Sequence, residues 1–220
     1  WHDVGGNVPG NYNPAATESF QEGMLIPPVK LIDGGVLNQD IIEILSANSR
    51  QPVSLYGDLN GQINALDLGV GRFSELLDEY GDALVAEAFE ELCARAARLM
   101  RSNIAELPDG SWETVDYIDR DPGQGEGLIP IRVKLTIKGD EATYDFTGSH
   151  GCISTLYNSA FGATFSGVVA GMKTYFPDLP LNSGFYRPIN VIAPKDSIVD
   201  APWPVEATGF LMPFEKIMNS

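Results

Sequence analysis

Positive charge is scarce in this sequence. Fourteen Lys and Arg face 30 Asp and Glu over 220 residues, for a net charge of −16, and the basic residues form no cluster. Nucleic-acid binding requires a basic patch that displaces counterions from phosphates, and adsorption to an anionic membrane surface has the same requirement, so neither partner is expected. Long apolar runs are also missing. No window approaches the roughly 20 consecutive apolar residues of a membrane-spanning helix, and the opening WHDVGGNVPG has neither the charged start nor the apolar middle of a secretory signal. Cysteine is limited to Cys93 and Cys152, which make neither a CxxC pair nor a disulfide framework and fit a reducing compartment. The expectation is a soluble, cytoplasmic protein. Familiar catalytic signatures are absent too: there is no G-x-S-x-G elbow, and GVGRF and DPGQGEG have neither the dinucleotide-binding form nor that of a P-loop.

What is present is 44% hydrophobic, enough at this length for one globular domain or two small ones. The chain starts at Trp1 rather than Met and stops at Ser220 within FEKIMNS, which reads as a helix just beginning. Those ends are the ends expected of an excerpt of a longer polypeptide.

Residues 1–36 are rich in Gly, Pro and Asn and read as loop, with tight turns at Gly5-Gly6 and Pro9-Gly10 and element-like periodicity only from Met24 to Ile32. A first helix is predicted from an Asn38 cap, with Ile41, Ile42, Ile44 and Leu45 as its apolar stripe and an end near Asn48, before Pro52. Asp58 reads as the cap of a second helix running toward Phe73, weakened by Gly61, Gly69 and Gly71 at about 1 kcal/mol each relative to Ala. The strongest helix spans Ala83 to Ile104, with Leu84, Ala88, Leu92, Ala96 and Leu99 on one face and carboxylates early, arginines late, as the macrodipole prefers. Alternation then takes over. WETVDYID reads as a strand, DPGQGEG as a loop, and IPIRVKLTIKGDEATYDFTG as a hairpin turning at Lys138-Gly139-Asp140. A small-residue-rich helix from about Tyr157 to Phe176 should pack closely on a neighbour, and RPINVIAP is a short strand. The fold class is α+β: a loop-rich N-terminal region and a helical middle over residues 1–110, then antiparallel strands with a packed helix over 111–220.

Chemistry-bearing residues gather in a few places. In Trp1-His2-Asp3-Val4-Gly5-Gly6, an imidazole and a carboxylate sit beside glycines that admit a close approach, so His2 and Asp3 are candidate metal ligands; a turn-forming Asp and a surface His is the plainer reading. Arg50, in Asn48-Ser49-Arg50-Gln51-Pro52, can present a fixed fork to a carboxylate or phosphate, against the alternative of a C-capping Asn and a solvent-facing Arg. Asp58 is a catalytic candidate whose simpler role is the helix cap. Glu22, like Glu18, suits acid/base work if the fold brings it near Asp3. His150 lies in Asp145-Phe146-Thr147-Gly148-Ser149-His150-Gly151 at a strand end, where either a binding loop or an Asx turn fits. Asn182-Ser183-Gly184 reads as a loop.

Taken in order, WHDVGGNVPG, QEGMLIPPVKL, NSRQP with GDLNGQ, LPDG, YDFTGS, NSG, RPI and PKDSI make the chain resemble the hydantoinase B/oxoprolinase family, which includes the corresponding subunits of acetone and acetophenone carboxylases. The resemblance covers essentially the whole chain and implies a middle section of a subunit several hundred residues long. In metal-containing members the first motif reads His-x-x-Asp-x-Gly-Gly. Asp3 falls on its Asp, His2 on a variable position, and the motif His one residue ahead of Trp1, with further ligands upstream. The resemblance therefore implies a divalent metal (Mn, Zn or Fe) held in part by Asp3. It also implies a hetero-oligomer, in which a hydantoinase A-type ATPase subunit uses ATP and Mg²⁺ to phosphorylate an oxygen of a small ketone or cyclic amide. The present type of subunit then converts the activated intermediate, by carboxylation of an enol phosphate or by attack of water. The tail PVEATGFLMPFEKIMNS points to the ketone-carboxylase branch. The alternatives are hydrolysis of a cyclic amide, as in hydantoinase, 5-oxoprolinase or lactamase, and a non-catalytic paralogue within such a complex.

Overall fold

The structure is a computed structural model that describes residues 2–10, 12–119 and 127–219. The glycine-rich loop expected at DPGQGEG falls almost wholly outside the described residues. A long N-terminal loop leads through a 3-10 turn at Ser19–Gln21 to a two-stranded ribbon, β1 (Ile32–Asp33) and β2 (Val36–Leu37), that precedes α1 (Gln39–Ala47). Asn38 caps α1 as expected, its side chain accepting from Ile41 N at 3.4 Å, and Asn48 ends it. Ile42 and Leu45 of α1 pack with Leu55 and Leu59 of α2 into a small apolar cluster that Met24, Leu31 and Leu37 partly cover.

Helix α2 (Pro52–Tyr80) departs from expectation at both ends. Pro52 begins it, since proline lacks only an N–H that the first turn leaves unpaired anyway, so Asp58 lies in the second turn and caps nothing. The glycines at 57, 61, 69 and 71 do not end it either. Their cost is spread over 29 residues and is offset by the anchoring of the first two turns on α1. Helix α3 (Asp82–Ile104) follows after Gly81. Its buried residues are Val85, Ala96, Ala97, Met100 and Ile104, whereas Leu84, Leu92 and Leu99 of the predicted apolar face are exposed. The reason is that only the C-terminal end of α3 reaches the main core, through Met100 and Ile104.

That core lies on a four-stranded sheet ordered β3 (Gly110–Ile118), β4 (Ile129–Lys138), β5 (Glu141–Asp145), β6 (Ile189–Ile192). In β4, Ile129, Ile131, Val133 and Ile137 alternate inward, the period-2 pattern of a sheet buried on one face. The first three strands are antiparallel, with the hairpin at Gly139, while β6 joins β5 in parallel. A parallel neighbour needs a crossover, and the connection carries α4 (Phe161–Tyr175). Closing the layer, α5 (Leu211–Met218) crosses α4 at Gly167 and Gly171, where an added Cβ would stand 3.0 Å from Ile217 Cγ2 and 2.9 Å from Met218 O. The small-residue helix thus packs closely, as its composition predicts. Helix α4 starts at Phe161 instead of Tyr157 because Asn158 is used differently: its buried amide donates to the carbonyls of Ile153, Thr155 and Glu206 and accepts from Ile153 N. Among the described residues no helix is long and apolar enough to cross a membrane.

Candidate functional site

The N-terminal loop is shaped by Gly5 and Gly6, with φ of 86° and 80°, a region that side-chain-bearing residues rarely adopt. A Cβ on Gly6 would also lie 2.6 Å from Glu22 O, so the two stretches touch backbone to backbone. Asn7 N donates to Gln21 O and Met24 N to Val4 O, laying residues 21–24 along residues 4–7. Between them and the end of α1 opens a cavity of about 450 Å³, lined by Gly5, Gly6, Gly23, Met24, Ala47, Asn48, Ser49 and Arg50.

Arg50 does make a fork, and the carboxylate it meets is the chain's own. Its Nη1 donates to Asp3 Oδ2 at 3.3 Å and to the carbonyls of Gly5 and Val8, and Nη2 donates to Gly6 O at 2.7 Å. The Asp3 side chain is 1% exposed, against 41% for Arg50. Oδ1 of Asp3 accepts from Arg50 N and Gly5 N at 2.9 and 3.0 Å, and the Ser49 hydroxyl donates to Asp3 O at 2.9 Å. Those two backbone N–H groups, Arg50 before Gly5, with the guanidinium behind them, override the effect of burial and hold the Asp3 carboxyl at about 2, down from 3.8.

His2, next in the chain, turns the other way. Asp58 Oδ2 accepts from both His2 N and His2 Nδ1 at 2.9 Å, which leaves Nε2 as the ring nitrogen away from the carboxylate. The hydrogen bond from the His2 ring is the largest cause of the lowered Asp58 pKa. Thus the fold brings together Asp3 with Arg50 and His2 with Asp58, two separate pairs rather than one ligand cluster. A four-coordinate ion needs three or four converging donors. Here both Asp3 oxygens already have N–H partners, the imidazole faces Asp58, and among the described residues no three His, Cys, Asp or Glu side chains converge. The described residues do not by themselves fit a divalent metal.

Glu22 has its backbone beside the cavity and its side chain elsewhere. Its Oε1 accepts from Ala207 N at 3.3 Å and from the Thr208 hydroxyl, and its carboxyl faces that of Glu206, which is 1% exposed. Glu206 was not legible as a site residue; the available signal was a glutamate between Val205 and Ala207 with no cation nearby in sequence. His150 resolves as a loop residue, its Nδ1 on Gly151 O at 2.9 Å, and Asp145 Oδ1 accepts from Thr147 N in an Asx turn. Cys93 and Cys152 are both unbridged.

The sequence model of the family described as hydantoinase B/oxoprolinase matches residues 1–219. The chain belongs to that family. It is 36% identical over 204 residues to caprolactamase subunit beta of Pseudomonas jessenii, covering 92% of this chain and 35% of that protein. The crystal structure of the ATP-dependent caprolactamase from the same organism matches with a TM-score of 0.90 at 34% identity, over 98% of this chain and 38% of that one. A more distant family member, the acetophenone carboxylase delta subunit of Aromatoleum aromaticum, is 27% identical over 211 residues, which cover 94% of this chain and 30% of that protein. The chain spans about a third of the length of these relatives.

Proposed function

We propose that the protein acts in ATP-dependent hydrolysis of a small cyclic amide, beside a hydantoinase A-type ATPase subunit that holds ATP and Mg²⁺. The observation that carries this reading is the similarity to the caprolactamase, 36% in sequence and 0.90 in TM-score, against 27% to the acetophenone carboxylase subunit. The ketone-carboxylase reading drew on the tail PVEATGFLMPFEKIMNS, but Glu206, Ala207 and Thr208 are occupied in bonding Glu22 and Asn158.

Arg50 supplies fixed positive charge at the wall of the glycine-lined cavity, where a phosphorylated ring oxygen would sit. Asp3 keeps that guanidinium in place. Asp58, by accepting from His2 N and Nδ1, anchors the start of the same loop outside the residues that line the cavity. Water then attacks the activated carbon and loses a proton as the C–N bond breaks and the ring nitrogen gains one, which leaves an open-chain acyl phosphate; a second water hydrolyses it to the carboxylate and inorganic phosphate.

The test is to express the complete subunit with its ATPase partner and supply a lactam, a hydantoin or 5-oxoproline in one arm and a ketone with bicarbonate in the other. ATP turnover with release of a ring-opened amino acid is the expected result. Bicarbonate-dependent carboxylation of the ketone, with no ring opening, would overturn it.

A further inference from the structure

The seam between the N-terminal loop and the C-terminal segment contains a carboxyl pair with no cation. Residues 18–24 and 203–208 meet through Ser19 N to Pro204 O at 2.8 Å, the Ser19 hydroxyl to Val205 O at 3.1 Å, a bridge between Glu18 and Val205, and Phe20 edge-on to Trp203 at 5.2 Å. In this seam Glu206 Oε1 accepts from Thr208 N at 3.2 Å, but Glu206 Oε2, fully buried, has no hydrogen-bond partner. Opposite it stands Glu22, whose Oε1 is occupied by the Thr208 hydroxyl and Ala207 N. Among the described residues no Lys, Arg or His forms an ion pair with either carboxyl. Among the described residues of the seam, 18–24 and 203–208, the other charged side chain is Glu18, and the 153–158 loop contributes the neutral Asn158 amide on Glu206 O.

Two ionised carboxylates are costly in such a place, because Glu206 is cut off from water and the half-buried Glu22 beside it repels a second negative charge. We propose that Glu22 and Glu206 hold a single proton between them, donated from Glu206 Oε2 to the Glu22 carboxylate, and that this proton keeps residues 18–24 seated on residues 203–208. The orphaned oxygen is then the donor, and every polar atom of the pair has a partner. Burial, followed by the hydrogen bond to Glu22, pushes Glu206 up to about 7. Burial also pushes Glu22 up, but the bonds from Glu206, the Thr208 hydroxyl and the backbone outweigh it and leave Glu22 below its ordinary value. Gly23 and Met24, next to Glu22, line the glycine cavity. Loss of the proton therefore loosens one wall of that cavity, and Glu206 is a positioning residue that touches no substrate.

The sign follows from linkage. A carboxyl with a raised folded pKa stabilises the fold fully below its unfolded value of 4.5, and that stability is lost as pH rises toward about 7. The complete protein, kept in chelator, should melt several degrees lower at about pH 8 than at about pH 5.5. Glu206→Gln, whose amide can donate to Glu22 at any pH, should flatten that fall, as should Glu22→Gln. Infrared spectra of the unmutated protein should carry a protonated-carboxyl band near pH 6 that Glu206→Gln removes. With activity in hand, KM should rise toward alkaline pH more than kcat falls, and less so in Glu206→Gln. The absence of the infrared band in the unmutated protein would overturn the proposal even if a variant fails to fold. So would an unchanged alkaline slope in both variants, or a slope abolished by added Ca²⁺ or Mg²⁺, which would make the seam a cation site.

Discussion

Two buried carboxyl groups flank the same short loop and are neutralised in opposite ways. Asp3 is ringed by donors, the N–H groups of Arg50 and Gly5 and the Arg50 guanidinium, and stays charged down to about 2. Glu206 meets another carboxylate and one backbone N–H, and holds its proton to about 7. Burial is common to both, so burial alone does not decide the charge of a group. What decides it is whether the surrounding atoms donate or accept. The two sites also divide the work: the Asp3–Arg50 pair fixes a charged wall of the cavity, while the Glu22–Glu206 pair ties the backbone behind that wall to the rest of the fold.

The sharpest probe of this contrast removes a neutral group that serves the second site. Asn158→Ala should cost about 3 kcal/mol in chemical denaturation of the complete protein, because it removes the amide that bonds the buried carbonyls of Ile153 and Glu206 and the Ile153 N–H. A cost equal to that of a surface substitution would mean the 153–158 loop can repack. Next in size is the guanidinium. Arg50→Ala should lower turnover by about tenfold or more, and Arg50→Lys should recover only part of it, since one ammonium cannot reach Asp3 Oδ2 and the carbonyls of Gly5, Gly6 and Val8 together. Full rescue by Lys would reduce Arg50 to a point charge. The smallest effect lies at acid pH. Because the Asp3 pKa is depressed, its stabilisation is complete above 3.8 and is lost as pH falls toward about 2. Asp3→Asn should shallow the acid unfolding curve there while leaving the alkaline fall assigned to Glu206 untouched; a variant that moves both limbs would show that the two sites titrate as one.

Much of the architecture was legible because it depends on local pattern. The Asn38 cap, the alternating isoleucines of β4, the turn at Gly139 and the glycines of α4 each state their conformation through periodicity or backbone freedom. Helix α2 is expected to start at the Asp58 cap but starts at Pro52, because Leu55 and Leu59 of its first turns meet α1. The exposed leucines of α3 were misread for a related reason: a helical stripe shows that a face is apolar and not what stands against it.

At the site, residue types were legible and partners were not. A fork at Arg50 toward a carboxylate or phosphate is legible, yet nothing along the chain indicates that Asp3, 47 residues earlier, receives it. His2 and Asp3 are adjacent, yet their side chains find separate partners, Asp58 and Arg50, which adjacency in the chain does not indicate.

The sequence by itself determined the acidic balance, the α+β class and, through the order of its motifs, the family. Those properties belong to composition, period and spacing, which exist before the chain folds. Tertiary structure alone decided which carboxyl keeps its charge and which keeps its proton, because a pKa depends on the atoms within a few ångströms, and Glu206 and Glu22 become neighbours only when residues 184 positions apart close the seam.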